Sequence, residues 1–266
     1  MEVATAMTIQ LSPSPLRGEG RGEGITLLLL LLMACTKPPA PLKIAAASDL
    51  TEAFTELGTR FESQTKTKVV FSFGSSGLLS KQLSEGAPFD LFFAADAASV
   101  DATVKSSACD GTTVQHYARG RLAAWSLTRE LTSLESIADE ANKRIALANP
   151  EHAPYGRAAK EALERSGLWK RIEPRVVYAE NVRQALQLAQ TGNAEVALVA
   201  WSNVINRTDG HKLLIDDSLH TPIDQTLVHC ARGSQPEAAK RFIEYLELPE
   251  SHALMEKSGF VLSPTP

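Results

Sequence analysis

From residue 42 onward the chain alternates short, apolar, β-rich runs with amphipathic stretches, and this alternation confines it to an α/β fold with mostly parallel strands. The strand candidates read LKIAAA, KVVFSF, DLFFAA, RLAAWSL, RIALAN, RVVYA, EVALVA and QTLVHCA. Between them Phe54, Leu57 and Phe61 share one helical face, as do Ala239, Phe242, Ile243 and Leu246. Both stripes are expected to be core. Thr132 and Glu135 are spaced as a capping box for a helix over about 133–141. With 266 residues, 44% of them apolar, the chain can bury a large core. No period of about 20 to 50 residues recurs, which excludes a solenoid. No linker interrupts the body, so two lobes that exchange strands are expected, at about 42–122 with 228–266 and about 123–227.

Ahead of the body lies ITLLLLLLMAC, residues 25–35. It is too short for a bilayer, which takes about 20 residues, and has the length of an export-signal core. Leu32, Met33, Ala34 and Cys35 resemble a bacterial lipobox, in which cleavage precedes a cysteine that becomes lipid-modified. Residues 1–35 therefore read as a signal peptide, Cys35 as a lipidation site, and 36–41, with Pro38, Pro39 and Pro41, as a stiff tether. Against this, Arg17 and Arg21 are balanced by Glu19 and Glu23 where a signal normally carries net positive charge. An exported chain meets an oxidising compartment, where Cys109 and Cys230 could pair. Neither belongs to a C-x-x-C or metal-spaced set, and they read as two separate thiols. The net charge of −4 and dispersed basic residues give no nucleic-acid footprint.

Four strand-to-helix junctions share one chemistry. They are AAASDLTEAF with Ser48 and Asp49, FGSSGLL with Ser75 and Ser76, ANPEHAPYGRAAKEAL with Tyr155 after Pro154, and YAENVRQALQLA with Asn181 before Val182. The first N–H groups of a helix lack intrahelical partners, and the macrodipole adds positive field there. Such ends attract anions, and in open α/β sheets ligands gather beyond the carboxyl ends of the strands. Each junction alone is explained by ordinary capping.

At these residues the chain resembles the periplasmic molybdate-binding proteins of bacterial ABC importers, through AAASDL, FGSSGLLSKQLSEGAPFDLFFAAD, NPEHAPYGRAAKEAL, AENVRQALQL and AAKRFIEYLELPESHALMEKSGF. The resemblance implies a two-lobed, type II solute-binding fold with a tetrahedral oxyanion in the cleft. It implies hydroxyl and backbone donation from Ser48 and Ser76, and backbone N–H donation from Tyr155 and Val182. A tyrosine that some members use falls on Ala200, leaving the space to Trp201 or the Tyr155 phenol. Asp49 is expected to cap its helix and face outward, with only its N–H near the ligand. Facing inward, it would suit an anion that retains a proton, such as hydrogen phosphate. The glycines at 74 and 77 are expected to let backbone approach the ligand.

The implied function is an extracytoplasmic receptor that delivers molybdate or tungstate to an ABC permease and its ATPase. It would act as a monomer, touch the membrane only through a lipid anchor, and use no resident cofactor and no direct cation ligand. Sulfate, phosphate or another small anion is the alternative ligand. A hydrolase reading is weaker, because GSSG lacks the G-x-S-x-G spacing of a nucleophile elbow and no histidine carries a supporting motif. His152 reads as a turn hydrogen-bonding group. No H-E-x-x-H, G-x-G-x-x-G or P-loop pattern follows a strand.

Overall fold

The computed structural model describes residues 40–262. The expected signal segment, Cys35 and most of the tether lie outside them. In chain order the strands are β1 (Leu42–Ala47), β2 (Val69–Gly74), β3 (Leu91–Ala94), β4 (Gln115–Gly120), β5 (Leu122–Ser126), β6 (Ile145–Ala148), β7 (Val176–Ala179), β8 (Val196–Ala200), β9 (His211–Leu214), β10 (Ile223–His229) and β11 (Val261–Leu262). The helices are α1 (Thr51–Thr65), α2 (Ser76–Ser84), α3 (Ala97–Lys105), α4 (Leu134–Ile137), α5 (Pro154–Arg165), α6 (Trp169–Ile172), α7 (Val182–Gln190), α8 (Pro236–Leu246) and α9 (Pro249–Lys257).

The strands form two sheets, ordered β11-β4-β10-β3-β1-β2 and β7-β6-β8-β5-β9. Each defines a lobe. The chain passes from the first to the second between β4 and β5, and back between β9 and β10. β10 enters the first sheet at Ile223, ahead of the return expected at 228. The sheets are mixed, which corrects the expectation of mostly parallel strands. β1 runs parallel to β2 and β3, and β6 parallel to β7 and β8, but β10 is antiparallel to β3 and β4, and β5 to β8 and β9. The strands on either side of each lobe change, β4 and β5, then β9 and β10, all pair antiparallel within their own sheets.

The expected core stripes are buried. Phe54 and Phe61 of α1 meet Phe242 of α8, Leu57 is buried beside them on the same face, and Phe54 packs edge-on against Phe93 with ring centroids 4.9 Å apart. The helix expected over 133–141 is shorter and begins after Ser133, not Thr132. Asn142 ends it early, donating its amide to the carbonyls of Ser136 and Ile137 at 2.9 and 3.1 Å. Cys109 and Cys230 face each other across an antiparallel bridge and are disulfide-bonded, which corrects the reading of two separate thiols. The pairing is long-range, and neither spacing nor motif announces it.

Candidate functional site

The helix starts named from sequence converge. Ser48, Asp49, Ser76, Tyr155 and Val182 line one cavity of about 10 Å³, together with Gly74 and Ser75. That volume is on the order of one water site, which restricts the occupant to a very small solute. Ser48, Asp49 and Ser76 come from the first lobe, Tyr155 and Val182 from the second.

What separates these starts from ordinary ones is how little they cap themselves. Asp96 caps α3 by accepting from the Ser99 N–H at 3.0 Å, which is the usual arrangement. By contrast, Ala47 before the 3-10 turn Ser48–Leu50, Ser75 before α2 and Ala153 before α5 make no side-chain cap. Pro154 opens α5 with a fixed φ and no N–H of its own, so the first free donor of that helix is Tyr155. At α7 Asn181 does cap, but it takes the Gln184 N–H at 3.0 Å and leaves that of Val182 unspent. The Ser76 hydroxyl oxygen accepts from the Ala95 N–H at 3.0 Å, which fixes its rotamer and leaves its proton free to donate. Neutral donors therefore face the cavity from both lobes.

Asp49 departs from expectation. Its side chain is 1% exposed and neither caps a helix nor faces outward. One carboxyl oxygen, Oδ2, accepts from the Tyr155 hydroxyl at 3.0 Å and from Gln225 Nε2 at 2.7 Å. The other, Oδ1, is buried without a partner. Its backbone carbonyl accepts from the Ser202 hydroxyl at 2.8 Å and the Asn203 amide at 3.5 Å. Tyr155, Ser202 and Asn203 belong to the second lobe, so Asp49 is a junction between lobes. Burial pushes its carboxyl up to about 7, against the Tyr155 and Gln225 hydrogen bonds, which favour the ionised form. Burial, with Asp49 beside them, also lifts the Tyr155 and Tyr117 phenols well above their ordinary value. The Tyr155 phenol is thus committed to Asp49. Ala200 and Trp201 do not line the cavity; Ala200 is fully buried in β8, and Trp201 stacks under Lys212 Nζ, 5.7 Å from the ring centroid.

Further contacts hold the lobes together beside the cavity. The Ser75 hydroxyl, free of capping duty, donates to the His152 carbonyl at 2.7 Å and lies 2.9 Å from Nδ1 of the same residue. The Gly77 N–H donates to that carbonyl at 3.0 Å. Gly77 is therefore small for the sake of the opposite lobe, not the ligand, and only Gly74 of the two expected glycines touches the cavity. Arg157 of α5 pairs with Asp96 of the first lobe, and Arg183 of α7 reaches Glu52 at 3.9 Å. The Ser75 and His152 pair was not foreseen. Their separation of 77 residues hid it, and among the described residues no carboxylate bonds to His152 as a triad would require.

Two α/β lobes closed over a very small cavity, which both line with unspent helix-start donors, define a two-lobed binding protein for a small solute. The chain belongs to the bacterial extracellular solute-binding protein family, whose model matches residues 42–261. It is 33% identical to the molybdate-binding protein ModA of Rhodobacter capsulatus, over 82% of this chain and 86% of that one. It is 30% identical to a putative ABC transporter substrate-binding lipoprotein, YvgL, of Bacillus subtilis, over 82% of this chain and 85% of that one. Among solved structures, the Azotobacter vinelandii periplasmic molybdate-binding protein superposes with a TM-score of 0.79 at 29% identity, covering 84% of this chain and 99% of the other.

Proposed function

We propose that the protein is the extracytoplasmic receptor of an ABC importer and closes on a tetrahedral oxyanion, molybdate or tungstate, without turning it over. The observation that carries this reading is the set of uncapped or partly spent helix starts that meet from two lobes around one small cavity. Donors of that kind bind an anion by field and hydrogen bonds and need no arginine or lysine. Molybdate is fully ionised near neutral pH, and a ring of donors favours it over anions that must place a proton. The names of the Rhodobacter and Azotobacter relatives support the choice of ligand. The sequence around Cys35 and the Bacillus lipoprotein relative support a lipid anchor at that cysteine.

A second ligand is favoured by one observation: Asp49 faces inward with a bare carboxyl oxygen, which could accept from a protonated oxyanion such as hydrogen phosphate. A thermal-shift and calorimetry panel of molybdate, tungstate, sulfate and phosphate on residues 36–266 separates the two. Stabilisation follows RT ln(1 + [L]/Kd), about 2.7 kcal/mol at a hundredfold excess over Kd. Shifts with molybdate and tungstate are expected. A shift with phosphate alone would transfer the reading to the second ligand, and none at all would remove the oxyanion from the cavity. For the anchor, globomycin is expected to block processing of the precursor, and Cys35→Ser to abolish lipid attachment.

A further inference from the structure

The cavity asks for a dianion, yet Asp49 places a carboxyl group among its lining residues. Two negative groups in a site closed to water repel strongly, because little solvent remains to screen them. The hydrogen bonds around Asp49 show how the conflict is resolved. Both of its side-chain donors, the Tyr155 hydroxyl and the Gln225 amide, go to Oδ2, and Oδ1 is left buried with none. An ionised carboxylate would leave an unsatisfied charged oxygen there, whereas a neutral acid leaves a hydroxyl. The contacts exist only between lobes that have met, since Tyr155 and Ser202 come to Asp49 from the far side of the cleft.

We propose that Asp49 is a positioning residue coupled to a proton: closing the lobes on an oxyanion dianion draws one proton from solvent onto Asp49 Oδ1. An O–H bond forms on the carboxyl, the conjugate base of the donor stays in solution, and the loaded protein gains one charge unit less than the ligand carries. The inference rests on the oxyanion-receptor reading. It assigns Asp49 a role beyond ligand contact, because protonation tracks closure and the Tyr155 bridge.

The neighbouring groups do not supply an alternative countercharge. On α1 Glu52 adds repulsion and is met by Arg183 of α7 and the Asn203 amide. On α5 the Arg157 guanidinium is held by Asp96, and on β10 and β4 Asp224 and Arg119 pair with each other at 2.8 Å. Tyr117 of β4 stays a neutral phenol, and His116 is engaged with the Thr226 hydroxyl at 2.9 Å. Strand β2 and the turn Trp201–Asn203 bring no titratable side chain. Burial already lifts the Asp49 carboxyl to about 7 with the lobes together, and a dianion alongside raises it further.

The test is calorimetry of the wild-type protein with molybdate in two buffers of different ionisation enthalpy, between pH 5.5 and 7.5. Uptake of close to one proton per molybdate is expected, with affinity falling as pH rises, by up to tenfold per pH unit. Asp49→Asn is expected to abolish the uptake and flatten the profile. Binding heat that is independent of buffer would overturn the inference and leave the receptor reading intact. Proton uptake that survives Asp49→Asn would also overturn it, assigning the proton to another group. Absence of binding heat with all four oxyanions would defeat the receptor reading first, and the inference with it. If the variant does not fold, a wild-type proton count near zero still overturns the inference.

Discussion

The N–H of Gly77 in one lobe and the carbonyl of His152 in the other are hydrogen-bonded at 3.0 Å, and the Ser75 hydroxyl reaches the same carbonyl at 2.7 Å. The start of α2 therefore serves two purposes at once. Its Ser76 end faces the cavity, while Ser75 and Gly77 grip the opposite lobe. Ligand donors and closure contacts alternate along three consecutive residues, which makes it possible to disturb one without the other.

Gly77→Ala should disturb closure. A methyl at this position would stand 2.6 Å from the His152 carbonyl oxygen, so the lobes would have to stay apart there. In an open molecule the same change improves helix propensity by up to about 1 kcal/mol. The expected outcome is at least a tenfold loss of molybdate affinity by calorimetry, with a ligand-free melting temperature no lower than wild type. Equal affinity would remove the His152 contact from the closed state.

Ser76→Ala should disturb the ligand. It deletes a hydroxyl whose oxygen is fixed by the Ala95 N–H and whose proton is unspent. Hydrogen bonds to a charged group contribute about 1.5 to 3 kcal/mol, so affinity should fall roughly 10- to 150-fold. The Ala95 N–H loses its acceptor, and stability should drop by about 1 kcal/mol, leaving a folded protein by circular dichroism. An unchanged dissociation constant would remove Ser76 from the site.

These two variants also mark where sequence was informative. Strands with continuous apolar runs and the four helix starts were legible, because burial and helix ends impose local patterns that survive in one dimension. Strands β4, β9 and β11 were not. β4 reads QHYARG and β9 HKLL, with exposed Gln115, His116, His211 and Lys212, and β11 has two residues, so none shows an apolar period. The direction of Asp49 was equally invisible. Its partners Tyr155 and Gln225 lie 106 and 176 residues away, and a short acidic residue at a helix start reads as a cap unless those partners are known. Cys109 and Cys230 were silent for the same reason, brought together only by the register of β10 and the loop after α3.

The buried Asp49 carboxyl makes folding stability depend on pH in a definite direction. With the lobes together its value is raised to about 7, so between the ordinary carboxylate range and that point the closed chain holds a proton that the unfolded chain has lost. Stability is fully present at low pH and falls as pH rises through this window, by up to about 4 kcal/mol for roughly three units. Asp49→Asn carries no such charge. Urea unfolding at saturating molybdate, with the lobes together, should show the variant gaining about 2 to 4 kcal/mol on wild type between pH 4.5 and pH 8.5. A constant difference across that range would mean the carboxyl is ionised in the folded state.

The Cys109–Cys230 disulfide should matter for stability and not for binding. It joins residues 121 apart, so it restricts a large part of the unfolded chain. Bonds closing loops of that size contribute about 2 to 5 kcal/mol. Neither cysteine lines the cavity, and both belong to a small apolar cluster with Val100, Phe92 and Val228 in the first lobe. Removing the bond leaves both lobes' cavity-lining residues in place, so ligand-induced closure has no reason to change. Cys109→Ser combined with Cys230→Ser is expected to lower unfolding free energy by about 2 to 5 kcal/mol in urea. Its molybdate affinity should stay within twofold of wild type, and wild-type protein held in reductant should match the double variant. A loss of affinity without a loss of stability would instead tie this cluster to the cleft.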